Sequence, residues 1–288
     1  MDRYTPFQAH TMARGSTAST ARPPEKETDT AMNRVLNTPE LLEMVLVQLD
    51  MQTLLTSAQR VCRPWRAFIT KSPSLQKILF FTPIKGSSEW GLVIDERSIN
   101  PLLQEKFPTI FPGKHRKRNP HHEFSFSNLP MTRNDKSMAR FLHQDASWRR
   151  MLVQQSPAAP SGIGLFYVYH AKAADRSSST RIPGSKKTQG LRMGQLFDIL
   201  LFNPKVQFRK HDTVRVYWSV EEPISLDERG SDIIDKFHDA LRRFGVVVFA
   251  RRHMTCRRDT QPTDAERSRQ KIVDAYEGGG LGVKEKGN

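Results

Sequence analysis

The order of strand-like and helix-like segments between Gly162 and His253 limits the folds open to this chain. GIGLFYVYH, starting at Gly162, is rich in the β-branched and aromatic residues that are enriched in strands. TVRVYWSV, starting at Thr213, alternates apolar and polar residues as a half-buried strand does. VVVFA, starting at Val246, is continuously apolar, as in a strand covered on both sides. With helical patterns between them, these three strands predict an α/β or α+β sheet domain.

Two amphipathic helices are predicted between these strands, because apolar residues recur there at helical spacing. The apolar face of the first helix consists of Met193, Phe197, Leu200 and Leu201. The apolar face of the second helix consists of Ile233, Ile234, Phe237, Leu241 and Phe244. Ser231 and Gly245 stand where the caps at the two ends of the second helix would be.

Shorter apolar pieces precede the sheet region, and we predict two short helices among them. The apolar residues at helical spacing are Met138, Phe141 and Leu142, followed by Trp148, Met151 and Leu152. The segment AKAADRSSSTRIPGSKKTQ, which comes after the first strand, has few apolar residues to bury. We expect this segment to be a mobile loop.

A second region with a strong helical pattern is NTPELLEMVLVQLDMQTLLTSAQRVCRPWRAFITKSPSLQ, which starts at Asn37. Thr38 can cap a first helix that has Pro39 in its first position, where a proline costs no hydrogen bond. Asp50 can cap a second helix, and Pro64 requires a third helix to begin near it. The region therefore predicts a small bundle of three helices.

This bundle has too little interior to bury all of its apolar residues. The apolar residues of its first two helices are Leu41, Leu42, Val45, Leu46, Leu49, Leu54, Leu55, Ala58 and Val61. Those that do not fit inside are left for the rest of the chain or for a partner protein. A helical subdomain packed only on its own chain is the alternative interpretation of the same pattern.

The spacing of these residues resembles the F-box, in the version found in large sets of filamentous-fungal F-box proteins. The residues that carry the resemblance are Glu40, Leu41, Leu42, Val45, Leu46, Leu49, Val61, Cys62 and Trp65, with the ending SPSL. The chain differs at the entry to the first helix, where Asn37 and Thr38 replace the usual Leu-Pro pair. The resemblance covers residues 33–80, and NPLLQEKFP and SWRRMLVQQ also resemble segments located after the F-box in that group.

The resemblance implies that the bundle docks on the Skp-type adaptor of a cullin-RING ubiquitin ligase, while the domain after it holds an unidentified protein substrate. The residues expected to contact the adaptor are Pro39, Leu42, Val45, Leu46, Leu49, Val61, Cys62 and Trp65. The expected mechanism is proximity, because such a receptor holds a target near a ubiquitin-charged enzyme. No catalytic residue, cofactor or metal is expected of the chain itself.

The cysteine content and the absence of certain motifs indicate a cellular compartment and exclude several classes of protein. Two cysteines, Cys62 and Cys256, exclude a disulfide framework and lack the paired spacing of a zinc site. The sequence has no apolar run long enough for a membrane span, no secretory signal and no enzyme motif such as a P-loop, HExxH or GxSxG. We therefore expect a soluble, non-enzymatic protein of the cytoplasm or nucleus.

The net charge of +15 favours a polyanion or an acidic partner. The run of Lys114, Arg116, Lys117 and Arg118 has three interpretations: a nuclear import signal, a phosphate contact or a solvated loop. The segment RRHMTCRR offers His253 and Cys256, which are too few for a metal site. The second interpretation of the whole chain is therefore a basic nucleic-acid-binding protein, and the third is a sheet domain without a role in ubiquitination.

The predicted organisation has four parts and the fold class is α+β. Residues 1–32 are expected to be a disordered arm, because they contain little to bury. Residues 33–80 form the F-box bundle, residues 81–256 form a mixed α/β sheet domain that holds the substrate, and residues 257–288 are expected to be a disordered charged tail.

Overall fold

The computed structural model describes residues 36–84, 98–111, 123–143, 145–155, 162–170, 176–182, 190–219, 231–253 and 261–278. Within these residues the protein is α+β, with helices and two small sheets, as the sequence predicts. Contacts between Cα atoms divide the chain into two compact units, 1–42 and 43–288. The expected disordered arm, 1–32, lies outside the described residues.

Four helices succeed one another in the N-terminal part of the described chain. The first, α1, is Pro39–Leu46. The second, α2 (51–61), joins three pieces: the α-helical Met51–Thr53, the π-helical Leu54–Ala58 and the α-helical Gln59–Val61. The third and fourth are α3, Arg63–Lys71, and α4, Pro73–Ile78. The first three begin where the sequence predicts, at Pro39, after Asp50 and beside Pro64, whereas the fourth was not predicted.

A short two-stranded sheet and several short helices connect these helices to the larger sheet. Strands β1 (Ser98–Ile99) and β2 (Gln154–Gln155) pair antiparallel. Between them lie α5 (Pro101–Lys106), the 3-10 helices Phe126–Asn128 and Pro130–Arg133, α6 (Asp135–Phe141) and α7 (Ser147–Arg150). The two predicted short helices are thus confirmed as α6 and α7, although α7 ends before Met151, which has an extended backbone.

The larger sheet has four strands: β3 (Gly162–His170), β4 (Arg176–Arg181), β5 (Thr213–Trp218) and β6 (Gly245–His253). Their order is β4-β3-β6-β5. Strands β3 and β6 are parallel, with Gly162 opposite Gly245 and His170 opposite His253, and the other pairs are antiparallel. Helix α8 (Met193–Phe202) precedes β5, and α9 (Ser231–Phe244) precedes β6. The predicted order of strand, helix, strand, helix, strand is confirmed.

Strands β3, β5 and β6 of the sheet are buried on both faces, whereas the edge strand β4 is mostly exposed. One face belongs to the main hydrophobic core, which contains Leu165, Val216 and Val248 together with α8. The other face belongs to a second cluster, in which Phe166 and Phe249 meet Phe237 of α9. Strand β6 lies in the middle and is covered on both sides, as its continuous apolar run predicts.

The prediction of a half-buried strand at Thr213 is corrected. Arg215 and Tyr217, the residues expected to face solvent, are 5% and 6% exposed. Tyr217 packs in the second cluster, where its ring lies 5.0 Å from that of Phe237. Alternation of residue types therefore marked the two faces of β5 correctly, but the second face is covered as well.

Two predicted disordered segments contain regular structure, and both predictions are corrected. Part of the expected mobile loop is β4, whose residues RSSSTR are held by pairing with β3. Part of the expected disordered tail is α10 (Asp264–Gly278), which buries Ile272 and Tyr276 in the main core. The sequence does not predict either element, because both are rich in polar or charged residues and bury few apolar side chains.

Gly245 ends α9 and begins β6, as its predicted capping role requires. Its φ angle is +74°, in the left-handed region that glycine tolerates best. Its carbonyl oxygen accepts a hydrogen bond of 2.8 Å from Ser219 N, at the end of β5. This residue therefore turns the chain directly from helix into the central strand.

Candidate functional site

Helix α1 carries apolar side chains both inside and outside the fold. Leu42 and Leu46, one helical turn apart, are 5% and 0% exposed. Met44 and Val45, in contrast, are 61% and 44% exposed. A short helix with apolar residues beyond its buried side has more apolar surface than its own fold uses.

Helix α2 begins at the cap that the sequence predicts. The carboxylate of Asp50 accepts hydrogen bonds from Thr53 N at 2.9 Å and from Thr53 Oγ1 at 2.6 Å. The side-chain bond with Thr53 is the main reason that the pKa of Asp50 lies below its usual value. The cap fixes the start of the helix at the position that the sequence predicts.

The π-helical turn of α2 explains the exposure of Val61. Leu54 and Ala58 are buried, and an α-helix would place Val61 on the same face. The π-helical segment Leu54–Ala58 turns the chain by a smaller angle per residue than an α-helix does, so the register shifts. As a result, Val61, one of the expected adaptor contacts, is 62% exposed.

The junction between α2 and α3 places Cys62 on the surface. Cys62 has an extended backbone, with φ −158° and ψ 166°, and its side chain makes no capping hydrogen bond. Pro64 lies in the first turn of α3, and Trp65, the next residue, is half-buried. Val61 and Cys62 therefore form an exposed apolar corner, with Trp65 next to it along the chain.

A polar contact joins the second half of α1 to the start of α4. The hydroxyl of Ser72 donates to the Glu43 carboxylate and accepts a 3.1 Å hydrogen bond from Leu75 N. Ser72 is buried, so these bonds satisfy a hydroxyl that has no access to water. The contact links Glu43, the residue before Met44 and Val45, to the start of α4.

Hydrogen bonds also cross the predicted boundary at residue 80. Phe80 O accepts a 2.7 Å hydrogen bond from Leu152 N, and Lys77 O accepts one from the side chain of Gln155. Leu55 and Phe81 pack against the main core. Helices α2 to α4 are therefore attached to the sheet domain as well as to one another.

Exposed large apolar side chains are confined to one part of the described chain. Those of the described residues are Leu41, Met44, Val45 and Val61. All four lie in α1 and α2, within the segment that resembles the F-box. Single exposed apolar residues are common on protein surfaces, but concentration in one segment is typical of a binding surface.

The structure places the eight predicted adaptor contacts in three groups. The exposed residues are Pro39, Val45, Val61 and Cys62. The half-buried residues are Leu49 and Trp65, and the buried residues are Leu42 and Leu46. The buried pair therefore has almost no exposed surface in this conformation. Met44 was not predicted, although its position next to Val45 is a signal that could have found it.

A groove lies between the edge strand β4 and helix α9, with a volume of about 600 Å³. It is lined by Ser177, Ser178 and Ser179 of β4 and by Asp235, Asp239 and Arg242 of α9. Edge strands have unpaired backbone groups that can bind an extended peptide. The groove is a concave surface of the sheet domain that a protein segment could enter.

Other predicted residues lie outside the described chain or form no site. The basic run Lys114, Arg116, Lys117 and Arg118 is outside the described residues, as is Cys256. In the part of the chain that the structure describes, no three His, Cys, Asp or Glu residues are grouped to hold a metal ion. The helices within these ranges include none that is long and apolar enough to cross a membrane.

Comparisons of the chain with protein-family models, with curated proteins and with solved structures give no match. The resemblance to the F-box therefore rests on the residue pattern of 33–80.

Proposed function

We propose that the protein is a substrate-receptor subunit of a cullin-RING ubiquitin ligase. Its N-terminal helices dock on the Skp-type adaptor, and its sheet domain holds the protein to be ubiquitinated. The observation that carries this proposal is that the exposed large apolar side chains of the described chain coincide with the F-box-like segment. Met44, Val45 and Val61 supply the contact surface, with Cys62 and Trp65 next to Val61.

The exposed side chains supply a moderate part of the binding energy. Burial of a whole aliphatic side chain contributes about 1.5 to 3 kcal/mol. Since Met44, Val45 and Val61 are each about half exposed, burial of the remainder contributes roughly 1 kcal/mol for each residue. Loss of one of them should weaken adaptor binding about fivefold, and a charge in its place should weaken it more.

The role of the receptor in the reaction is to bring its partners together. The ubiquitin-charged enzyme and the ligase supply the chemistry, while the receptor raises the effective concentration of the target lysine. In this proposal, the hydrogen bond between Leu152 N and Phe80 O, which attaches the residues after α4 to the sheet region, helps to set the distance between adaptor and substrate. In this proposal the groove between β4 and α9 is where a substrate segment binds.

The proposal is tested by co-purification of the full chain with a Skp-type adaptor from a filamentous fungus, at moderate and high salt. We expect the parent to capture the adaptor at both salt concentrations, because apolar contacts depend little on ionic strength. A Val45→Asp, Val61→Asp double variant should lose capture. Both substituted residues are exposed, so the variant should keep the parent's circular dichroism spectrum and melting temperature.

The matched control is Asn128→Asp with Ala139→Asp, which adds the same charge at exposed positions of the sheet domain. This control should capture the adaptor as the parent does. Absence of capture by a folded parent would refute the proposal, and so would equal capture by the Val45→Asp, Val61→Asp variant.

A further inference from the structure

One end of the four-stranded sheet collects basic groups from segments that are far apart in the sequence. Strands β3 and β6 both finish there, with His170 opposite His253. The turn before β5 reaches the same end, since Thr213 pairs with Arg251. We call this surface the basic end of the sheet, and its residues are His170, Lys205, Arg209, Arg251, Arg252 and His253.

Direct contacts hold these residues together. Arg252 Nη2 donates to Lys205 O at 2.9 Å, and His253 N donates to the Asp212 carboxylate at 3.3 Å. Asp212 N in turn donates to Arg209 O at 2.9 Å. The turn 203–212 is thereby tied to the last residues of β6.

The charges of the basic end act on one another. Burial is the main cause that lowers the pKa of His253, and the charges of His170 and Arg251 lower it further. Burial also raises the pKa of Asp212, against the effect of Arg252 and Arg209. A concentration of like charge persists in a folded protein at a cost in stability, which an anionic partner would relieve.

The basic groups lie on both faces of the sheet. Successive residues of a strand point to opposite faces of the sheet. Arg251 therefore lies on the same face of the sheet as Phe249, and Arg252 lies on the opposite face, with Ala250. Lys205 lies on the second of these faces, with its Nζ 5.3 Å from the centre of the Tyr167 ring. One phosphate group cannot reach both faces, whereas a chain of phosphates that crosses the end of the sheet can.

Aromatic rings alternate with these cations. The rings of His170 and His253 stack at 4.8 Å with an angle of 23°. The guanidinium of Arg252 lies 5.8 Å from the centre of the Tyr169 ring, which is half-buried. Cations interleaved with accessible rings are typical of surfaces that bind single-stranded nucleic acid, because unpaired bases stack on the rings.

We propose that the basic end of the sheet binds a single strand of nucleic acid. The phosphates contact Lys205 and Arg209, and bases stack against His253 and Tyr169. The surface uses other residues than the proposed adaptor site, so the two functions are separable. A phosphorylated protein segment is a weaker fit, because its single phosphate would use only one face.

The test measures binding of a fluorescent single-stranded DNA of about 12 nucleotides to the full chain by anisotropy, at several salt concentrations. The variant is Lys205→Glu with Arg209→Glu, two exposed residues. We expect the parent to bind with a Kd on the order of 10⁻⁶ to 10⁻⁴ M at physiological salt. The variant should bind at least about tenfold more weakly, with the slope of log K against log salt reduced by about 1.4 for two lost phosphate contacts.

The matched control is Arg181→Glu with Arg243→Glu, which makes the same change in net charge at the opposite end of the sheet. Both arginines are exposed. Arg243 precedes Gly245, and Arg181 pairs with Gly164, which lies opposite Val247, about 20 Å from His253 along β6. Since this exceeds the Debye length of about 10 Å, the control should bind the DNA as the parent does. The Val45→Asp, Val61→Asp variant should also bind it normally.

Equal loss in the two charge variants would overturn the proposal, because binding would then depend on net charge alone. Tighter binding of a singly phosphorylated peptide than of the DNA, sensitive to the same residues, would overturn it in favour of a phosphoprotein partner. Tighter binding of a duplex of the same length would also overturn it, because paired bases are not free to stack on His253 and Tyr169. If the Lys205→Glu, Arg209→Glu variant does not fold, Lys205→Gln with Arg209→Gln should give a smaller loss in the same direction.

Discussion

Apolar residues are used differently in the four-stranded sheet and in the first two helices. In the inner strand β6 of the sheet, both faces are buried: Phe249 and Val248 are each 0% exposed, although they point to opposite sides. On α1 and α2, Met44 and Val61 are both more than 60% exposed. The sheet thus uses its apolar residues for its own stability, whereas the helices keep some of theirs for a partner. Substitutions in the two regions should therefore have different consequences.

The largest expected contrast is between Phe249→Ala and Val61→Ala. The Phe249 ring lies within 6.0 Å of the rings of Phe166, Tyr217 and Phe237, and its loss should reduce the free energy of unfolding by about 3 to 5 kcal/mol. Val61→Ala should change it by less than about 0.5 kcal/mol. Urea unfolding of both variants measures the difference. Similar losses would show that Val61 belongs to the core.

Helix α10 should behave like the sheet and not like a loose tail. Ile272 is fully buried, so Ile272→Ala should cost about 2 to 5 kcal/mol in the free energy of unfolding. Lys271→Ala on the same helix removes only the exposed ion pair of 2.9 Å with Asp135 and should cost less than about 1 kcal/mol. Thermal unfolding of the two variants compares them. Equal midpoints would show that α10 is not docked on the core.

A smaller effect is expected at Gly164, which makes room for α9 on β3. A Cβ atom at this position would lie 2.8 Å from Phe244 Cγ, closer than real Cβ atoms approach a neighbour. Both residues are in the interior, so Gly164→Ala should cost about 1 to 3 kcal/mol through overpacking. Gly164→Ala in a Phe244→Leu background should cost less, because the smaller side chain leaves space. Urea unfolding of the parent, the two single variants and the double variant measures this coupling.

The smallest effect is expected at the start of α2. Because the folded-state pKa of Asp50 lies below the usual 3.8, its cap stabilises the protein above that pH and is lost as the pH falls through the lowered pKa. Asp50→Asn keeps a capping side chain but removes the titration. Below pH 3.8 the parent should therefore lose thermal stability faster than Asp50→Asn does. Parallel curves for the two proteins would show that the cap does not contribute.

Much of the fold can be predicted from the sequence because its strands and long helices have strong apolar patterns. β3, α8 and β6 occupy the predicted residues, and Asp50 and Gly245 cap as predicted. The strand β4 could not be predicted, since Ser and Thr residues give no apolar signal and the strand is defined by pairing with β3. α10 was missed because Ile272 and Tyr276 are its only fully buried apolar residues.

The candidate sites depended on information that the sequence carries only in part. The Val61 and Cys62 motif can be recognised in the sequence. The exposure of Val61 cannot, because it arises from the π-helical register shift in α2. The basic end of the sheet could not be recognised, because Arg209 and Arg251 are distant in sequence and come together only through the pairing of β5 with β6. Local patterns predicted the elements, and the strand register determined which charges meet.

The most direct test of the central claim is a hydrogen-exchange footprint of the full chain with and without the Skp-type adaptor. We expect the adaptor to slow exchange in peptides that contain Met44 and Val45 and in those that contain Val61 and Trp65. Peptides from the centre of β6 should exchange equally in both samples, because that strand is buried before binding. Unchanged exchange in α1 and α2, or protection that appears instead on the sheet, would contradict the claim that the exposed apolar residues of the helices are a docking surface.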